Sequence, residues 1–166
     1  SGIISHLLRK KMNRPLVIIL STLLSVILTI STFPLGSNSP EWIILIIMYW
    51  IIAVPGMYNL YVVWLIGIIK DVTVSSVLGM NAFIYVLLAY SIKKLHKSLR
   101  YFTIIQQSII VFFVLIIEIT VLLWFDALLD SNIFSSDLYW SSVTSALSWP
   151  IIFLSLRYLR RKYNIS

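Results

Sequence analysis

Glu118 lies inside a long apolar run, where an ionisable side chain is a candidate for chemistry. Insertion scales put the cost of a charged residue at the centre of a membrane helix at about 2.5–3.5 kcal/mol, so Glu118 must face protein or water. Gln107 lies about three helical turns earlier and on the same helical face. The pair suggests a proton or cation relay. We favour the simpler alternative, in which Glu118 is protonated or is hydrogen bonded to Ser, Thr or Trp of a neighbouring helix.

Asp71 ends another apolar run and lies in a stretch of polar and small residues between Gly67 and Gly79. One interpretation is a contact with an ion or a partner protein. The other is a helix break, in which Asp71 caps the N-terminus of the next helix while Gly67 and Gly79 let two backbones approach closely. We favour the helix break.

The remaining polar residues do not have the spacing of an enzyme site. His6 and His96 both lie in basic joints between apolar runs, far from the acidic residues, so neither a Ser-His-Asp triad nor a metal site is expected. The sequence has no Gly-rich phosphate loop, and the absence of cysteine excludes disulfides and thiolate metal sites. We therefore predict no enzyme activity and no cofactor.

Small hydroxyl residues recur in the last apolar run, where Ser141 and Ser145 have the spacing of one helical turn. This spacing predicts a packing seam between helices, with about 0.6 kcal/mol for each interhelical hydrogen bond. Trp149 and Pro150 follow, and the proline predicts a kink. Aromatic residues near the ends of the runs, such as Trp140, fit the aromatic belts of a membrane interface better than a ligand site.

Composition assigns the chain to a membrane. Of its 166 residues, 60% are hydrophobic and 11% are charged, and the mean hydropathy is +0.96. Soluble domains have about 45–50% apolar and about 25% charged residues. One crossing of about 30 Å needs about 20 apolar residues, so the chain has room for at most about six crossings and no soluble domain. The net charge of +7 lies in short clusters between apolar runs, which indicates lipid head groups rather than nucleic acid as partners.

Apolar runs separated by polar or breaker-rich joints predict an all-α fold, a polytopic membrane bundle of six transmembrane helices. The runs span residues of about 15–33, 42–54, 57–70, 74–92, 101–125 and 138–157. We expect them to form a single domain over residues 1–166. The first run follows basic residues, as in a signal peptide, but no Ala-x-Ala-like cleavage site follows it, so we expect it to be retained as the first helix.

The placement of basic residues predicts that both termini are cytoplasmic, because Lys and Arg of short loops prefer that side. Six crossings from a cytoplasmic N-terminus place the basic clusters inside and leave Lys70 outside, with most of the acidic residues. The clusters are residues 9–14, 93–100 and 157–162. An alternative with the same parity has four crossings and a re-entrant hairpin over residues 42–70, broken at Pro55. We favour six crossings.

A particular order of aromatic, glycine and acidic residues extends from the second apolar run to the C-terminus. Its first block contains Tyr49-Trp50, Ala53-Val54-Pro55, Gly67, Asp71 and Leu78-Gly79. Its second part contains Gln106-Gln107, Glu118, Tyr139-Trp140-Ser141-Ser142-Val143, Trp149-Pro150 and a basic tail. Taken together, this order and spacing resemble the MreD family of rod-shape-determining proteins, of the proteobacterial type. The resemblance covers nearly the whole chain.

The resemblance implies a non-enzymatic component of the bacterial inner membrane and of the cell-elongation (rod) complex. The implied partners are membrane lipids, the bitopic protein MreC, RodA with its class B penicillin-binding protein and, indirectly, the MreB filament. We favour a scaffold that binds MreC, helps to position peptidoglycan synthesis and maintains rod shape. The implied fold is similar to the substrate-binding components of energy-coupling-factor transporters. That similarity supplies the alternative, a small-molecule-binding subunit of an uptake transporter with a polar cavity near the outer face.

Overall fold

Helices make up the architecture of this protein. The computed structural model describes residues 2–165, apart from the side chains of residues 5–13. The α-helices are α1 (Gly2–Ile30), α2 (Trp42–Ala53), α3 (Leu60–Val74), α4 (Met80–Tyr101), α5 (Ile104–Leu128) and α6 (Tyr139–Lys162). Two short 3-10 helices, Gly36–Asn38 and Ser136–Leu138, lie in the loops before α2 and α6. Residues 2–165 contain no strand, and the predicted all-α class is confirmed.

Helices α1, α4 and α6 extend beyond the apolar runs from which they were predicted, into the adjoining basic clusters, and α1 begins at Gly2 rather than near residue 15. α4 continues through the basic cluster to Tyr101, and α6 continues to Lys162. Lys and Arg are good helix formers, and cations in the last turn complement the helix dipole, so the basic residues prolong these helices. The cluster at residues 93–100 therefore lies on the last turns of α4 and not in a separate loop.

α2 and α3 are separated at Pro55. α2 ends at Ala53, and the N–H of Val54 donates to the carbonyl of Trp50 at 2.8 Å. Pro55 has no N–H and restricts the residue before it, so the helix cannot continue. At 1.5 Å per residue, α2 and α3 are about 18 and 22 Å long. Both are shorter than the hydrocarbon core of a membrane, which is about 30 Å thick.

The capacity to cross a membrane is clearest in α5. Within residues 2–165, Ile104–Leu128 is the one helix that is both long and apolar enough to cross, and Arg14–Ile30 of α1 forms a shorter apolar stretch. The last turn of α6 contains Arg160, Arg161 and Lys162, which lower the apolar content of that helix. The fold thus has a clear candidate membrane helix at α5.

α2 forms the centre of the core. Every residue from Ile43 to Ala53 is buried, and α2 packs against α1, α4 and α6. A helix that is apolar on all sides is stable only when it is enclosed, which explains its central position. The polar end of Trp50 also has a partner, because its Nε1 donates to Ser21 Oγ of α1 at 2.9 Å.

α1 has an apolar outer face, and its inner face combines hydroxyl side chains with the buried apolar side chains of Val17 and Ile18. The hydroxyl side chains of Ser21 and Ser25 are buried. The large apolar side chains of the outer face are all more than half exposed; they are Leu16, Ile19, Leu20, Leu23, Leu24 and Ile27. This pattern is the reverse of that in a soluble protein, and a continuous exposed apolar face of this kind marks contact with lipid or with another protein.

Candidate functional site

A buried lysine stands at the centre of the candidate site. Lys70 Nζ lies 2.8 Å from Glu41 Oε2 and 4.0 Å from Glu118 Oε1. Lys70 is 4% exposed and Glu118 is 1% exposed. The ammonium group also lies 5.1 Å from the centre of the Tyr85 ring, within the range of a cation-π contact. One cation thus serves two carboxylates, of which Glu118 is buried and Glu41 is partly exposed.

Four parts of the chain bring this cluster together. Glu41 is the residue before α2, Lys70 lies near the end of α3, Tyr85 belongs to α4 and Glu118 belongs to α5. Removing the partner of a buried ion costs several kcal/mol. Each charged side chain of the cluster is therefore held in place by its partner. The ion pairs therefore tie α3 and α5 to the start of α2.

Glu118 differs from the others in having an incomplete set of partners. Neither of its carboxylate oxygens accepts a hydrogen bond from the described residues, and the ammonium of Lys70 is its ionic contact. The sequence predicts that Glu118 is protonated or is hydrogen bonded to Ser, Thr or Trp of a neighbouring helix, and no such hydrogen bond forms among the described residues. The structure instead places a lysine of α3 beside the carboxylate.

Gln107 and Glu118 do not form a relay among the described residues. Gln107 Nε2 donates to the carbonyl of Leu99 at 2.8 Å, and Gln107 Oε1 accepts from Trp149 Nε1 at 3.3 Å. The two side chains share the buried face of α5, but Val111 and Leu115 occupy that face between them. The polar groups are about 16 Å apart along the helix. Gln107 thus links α5 to α6 at one level, and Glu118 links α5 to α3 at another.

Asp71 caps the N-terminus of α4, as the sequence predicts. Its Oδ2 accepts from the N–H of Gly79 at 2.9 Å, and its Oδ1 accepts from the N–H and the side-chain amide of Asn81 at 2.9 and 2.8 Å. The hydroxyl of Ser76 donates to the same Oδ1 at 2.8 Å. Backbone donors and the positive end of the helix dipole together stabilise a buried carboxylate. Asp71 therefore fixes the connection between α3 and α4.

Gly67 and Gly79 act in different ways. A Cβ atom on Gly67 would collide with the backbone of Ala82, so the backbones of α3 and α4 meet there, as predicted. A Cβ atom on Gly79 would meet nothing within 4 Å, and the close approach predicted for this residue is wrong. The φ angle of Gly79 is +96°, a conformation that favours glycine. Gly79 is thus needed for the turn into α4.

A second loop after a helix repeats the arrangement around Asp71, and the sequence analysis missed it. At the end of α5, Asp126 accepts from the hydroxyl of Ser131 and from the N–H groups of Ile133 and Phe134. In both loops a serine follows the aspartate by five positions, and the residue before that serine has a positive φ, 50° at Asp130 in the second loop. The shared Asp-x-x-x-x-Ser spacing was the sequence signal that could have identified it.

The serine seam of α6 is connected to the ion-pair cluster. Ser141 and Ser145 are buried. The hydroxyl of Ser145 accepts from the N–H of Glu41 at 2.9 Å and donates to the carbonyl of Ser141 at 2.6 Å. Ser145 therefore holds the backbone of a residue that pairs with Lys70. The predicted packing seam also positions Glu41.

The aromatic residues named in the sequence analysis fall into two groups. Tyr49, Trp50 and Trp149 are buried, whereas Trp140 is exposed. α6 is continuous through Pro150. The exposed position of Trp140 fits an interfacial aromatic residue, and the buried aromatic rings pack at the centre of the helical bundle.

An all-helical chain with an apolar outer surface and ionisable groups in its interior belongs to the class of helical membrane proteins. Residues 10–159 match the family model described as rod shape-determining protein MreD, and the chain belongs to that family. Its similarity to the rod shape-determining protein MreD of Haemophilus influenzae is 28% identity over 146 residues, which cover 84% of this chain and 87% of that protein. No solved structure matches the chain. Family membership assigns the protein a role in determining rod shape.

Proposed function

We propose that the protein is a non-enzymatic scaffold in the inner (cytoplasmic) membrane of a bacterium. It binds the bitopic protein MreC and, with it, RodA and its class B penicillin-binding protein, and it acts indirectly on the MreB filament. In this role it helps to position peptidoglycan synthesis in the cell-elongation complex. Membership of the MreD family carries the proposal, because the role that the family name describes is the determination of rod shape.

The contacts that the buried polar side chains form support the scaffold proposal. Asp71 and Asp126 accept hydrogen bonds from the loops that follow their helices, and Lys70 pairs with Glu41. These groups hold helices and loops in one arrangement. A scaffold needs such rigidity, since it must present the same surface to its partners at all times.

The distribution of charge supports six crossings with both termini in the cytoplasm. Arg14 of α1, Arg100 of α4 and Arg157 of α6 line one cavity and so lie at one end of the bundle. α2 begins beside Lys70 and ends where Arg100 donates to the carbonyls of Ile52 and Ala53. It therefore extends from the acidic end of the bundle to the basic end. The basic end faces the cytoplasm in this proposal.

Single cysteines test the orientation, because the sequence contains none of its own. Ser135→Cys lies in the loop before α6 and Ser98→Cys on the last turns of α4, and both positions are exposed. A membrane-impermeant maleimide added from the periplasmic side should label the first and not the second. The reverse pattern would contradict the orientation. Met57→Cys, in the turn between α2 and α3, should be labelled from the cytoplasmic side if there are six crossings and from neither side if residues 42–70 form a re-entrant hairpin.

Uptake of a small molecule is the rival proposal, and the position of the cavity weighs against it. That proposal places a polar binding cavity near the outer face. At the acidic end, Glu41 and Lys70 bond to each other, and Asp71 is enclosed by its hydrogen bonds to the start of α4. The larger cavity lies at the arginine-rich end, which is cytoplasmic in the proposed orientation.

Direct binding to MreC is tested with two purified components. The protein and a tagged full-length MreC are produced together, extracted in mild detergent and isolated through the tag. We expect a stable complex that withstands size-exclusion chromatography, and no capture by an unrelated bitopic membrane protein with the same tag. Recovery of a monodisperse, folded protein that is not retained by MreC would refute the scaffold proposal.

A further inference from the structure

A large cavity at the basic end of the bundle has no part in the proposed scaffold function. Its volume is about 890 Å³, and it lies where the ends of α2, α4 and α6 meet the start of α5. Five arginines line it: Arg14, Arg100, Arg157, Arg160 and Arg161. Ligand sites for molecules the size of drugs have volumes of about 300–1,000 Å³. The cavity is therefore large enough for a substantial ligand.

No acidic side chain among the described residues balances the charge of this cavity. The sequence has six Asp and Glu residues, and none of them lines the cavity. The ion pairs formed within the described part of the chain belong to Lys70, so the five arginines have no acidic partner there. Arg100 is engaged in another way, since its guanidinium donates to the carbonyls of Ile52 and Ala53 at 2.7 and 2.6 Å. The other four leave a strong positive potential that an anion would satisfy.

Two buried polar atoms on the cavity wall also lack partners. The hydroxyl of Tyr49 and the Nε of Arg14 form no hydrogen bond with the described residues. Tyr49 is 2% exposed, and its ring is held edge-on by Trp50 and Phe153 at 5.3 and 5.5 Å between centroids. A buried hydroxyl without a partner is costly, so an acceptor from a ligand would stabilise it. These atoms are a second indication of a binding site, independent of the charge.

The chemistry of the wall favours a phosphate group. The planar guanidinium of arginine binds phosphate oxygens in pairs. The N-terminus of α5 also reaches the cavity through Thr103 and Ile104, and its dipole attracts anions. Apolar side chains, among them Phe102 and Phe153, line the rest of the wall. A mixed surface of this kind suits a phosphate attached to an apolar body.

We propose that this cavity binds the phosphate head group of an anionic phospholipid. The proposed orientation places it in the cytoplasmic leaflet, where basic pockets between membrane helices take up anionic head groups. Only the choice of leaflet rests on that orientation. The bound phosphate lies among Arg14, Arg157 and Arg160 and accepts from the Tyr49 hydroxyl, while the glycerol lies against the apolar wall.

The test is lipid retention by the full chain, measured by native mass spectrometry in detergent. The probes are cardiolipin, phosphatidylglycerol, phosphatidylethanolamine and inorganic phosphate, each added separately. We expect one anionic lipid to be retained per chain, and binding at least about tenfold weaker for the Arg157→Gln, Arg160→Gln double variant, since charge-assisted hydrogen bonds are lost. Lys94→Gln with Lys97→Gln is the matched control, because both lysines are basic and exposed at the same end but lie outside the cavity wall.

The alternative outcomes are distinct. Equal losses in the cavity variant and the control would show general attraction to basic surface and would overturn the site. Equal retention of phosphatidylethanolamine would overturn the selectivity for anionic lipid, and tight binding of inorganic phosphate with no retained lipid would assign the cavity to free phosphate instead. If the double variant does not fold, Tyr49→Phe and Arg161→Gln provide single changes, each of which should weaken anionic lipid binding. Retention that is unchanged in both would also overturn the proposal.

Discussion

Replacing Lys70 by methionine should destabilise the protein strongly. The substitution keeps an unbranched side chain of similar length but removes the cation that serves Glu41 and Glu118. Breaking a buried ion pair by removing one partner costs about 3–5 kcal/mol. The lower end applies here, because the side chain of Glu41 is 17% exposed and can gain some hydration, and Glu118 lies at 4.0 Å. We therefore expect a loss of about 3 kcal/mol.

Glu118→Gln provides the second side of a double-mutant cycle. It removes a carboxylate whose ionic contact is long and leaves the closer pair between Lys70 and Glu41 intact, so it should cost less than the loss of about 3 kcal/mol expected for Lys70→Met. In the double variant, position 118 carries no carboxylate, so no unpaired charge is buried there. The double variant should therefore be more stable than Lys70→Met alone.

The assay is the fraction of monodisperse protein that remains after heating in detergent. For a chain of this size, a change of 1 kcal/mol shifts the midpoint by about 2–4 °C, so Lys70→Met should lower it by roughly 6–12 °C. Lys94→Met is the matched control, since Lys94 is exposed on α4 and should shift the midpoint little. A Lys70→Met midpoint equal to that of the control, or a double variant less stable than Lys70→Met, would refute the reasoning. Cells with Glu118→Gln should keep nearly normal rod shape.

Other substitutions separate the roles of individual contacts, each measured in the same heating assay. Gly67→Leu should cost about 3 kcal/mol or more, because the side chain meets the backbone of α4, and cells should lose rod shape. Gly79→Ala should cost about 1–2 kcal/mol through backbone strain alone. Asp71→Asn should cost about 3 kcal/mol, since one amide oxygen cannot replace a carboxylate that accepts several hydrogen bonds. Asp126→Asn should cost less, because Asp126 accepts fewer hydrogen bonds than Asp71. Trp149→Phe should cost about 1–3 kcal/mol by leaving the buried amide oxygen of Gln107 without a donor. A midpoint unchanged in any of these variants would contradict its stated contact.

Local features of the fold could be predicted from the sequence. Apolar runs separated by breakers predict helices because each run has the composition of one element. The capping role of Asp71 could be predicted because aspartate is a preferred acceptor for the free N–H groups at the start of a helix, but Asp71 lies within α3 and reaches the start of α4 from nine residues before it. The close approach at Gly67 follows from the same local pattern, since small residues mark helix contacts.

Features that depend on tertiary contacts could not be predicted in the same way. The pair between Lys70 and Glu118 joins residues far apart in sequence, and periodicity does not indicate which helices are neighbours. Gly79 was assigned a packing role because a positive φ angle leaves no trace in the composition around it. The cavity combines Arg14 with arginines of α4 and α6, and the sequence shows only that each of these segments is basic. Which buried charges meet is decided by packing.

The most direct test of the scaffold account is an unbiased isolation of the protein from its native membrane. The protein is tagged at its normal level of expression, extracted in mild detergent and captured, and the proteins that accompany it are identified by mass spectrometry. An untagged strain and a strain with an unrelated tagged membrane protein are the controls. The account predicts specific recovery of MreC together with RodA and its class B penicillin-binding protein. Recovery of a pair of ATPases and a coupling membrane subunit, without MreC, would contradict it and would identify an uptake component.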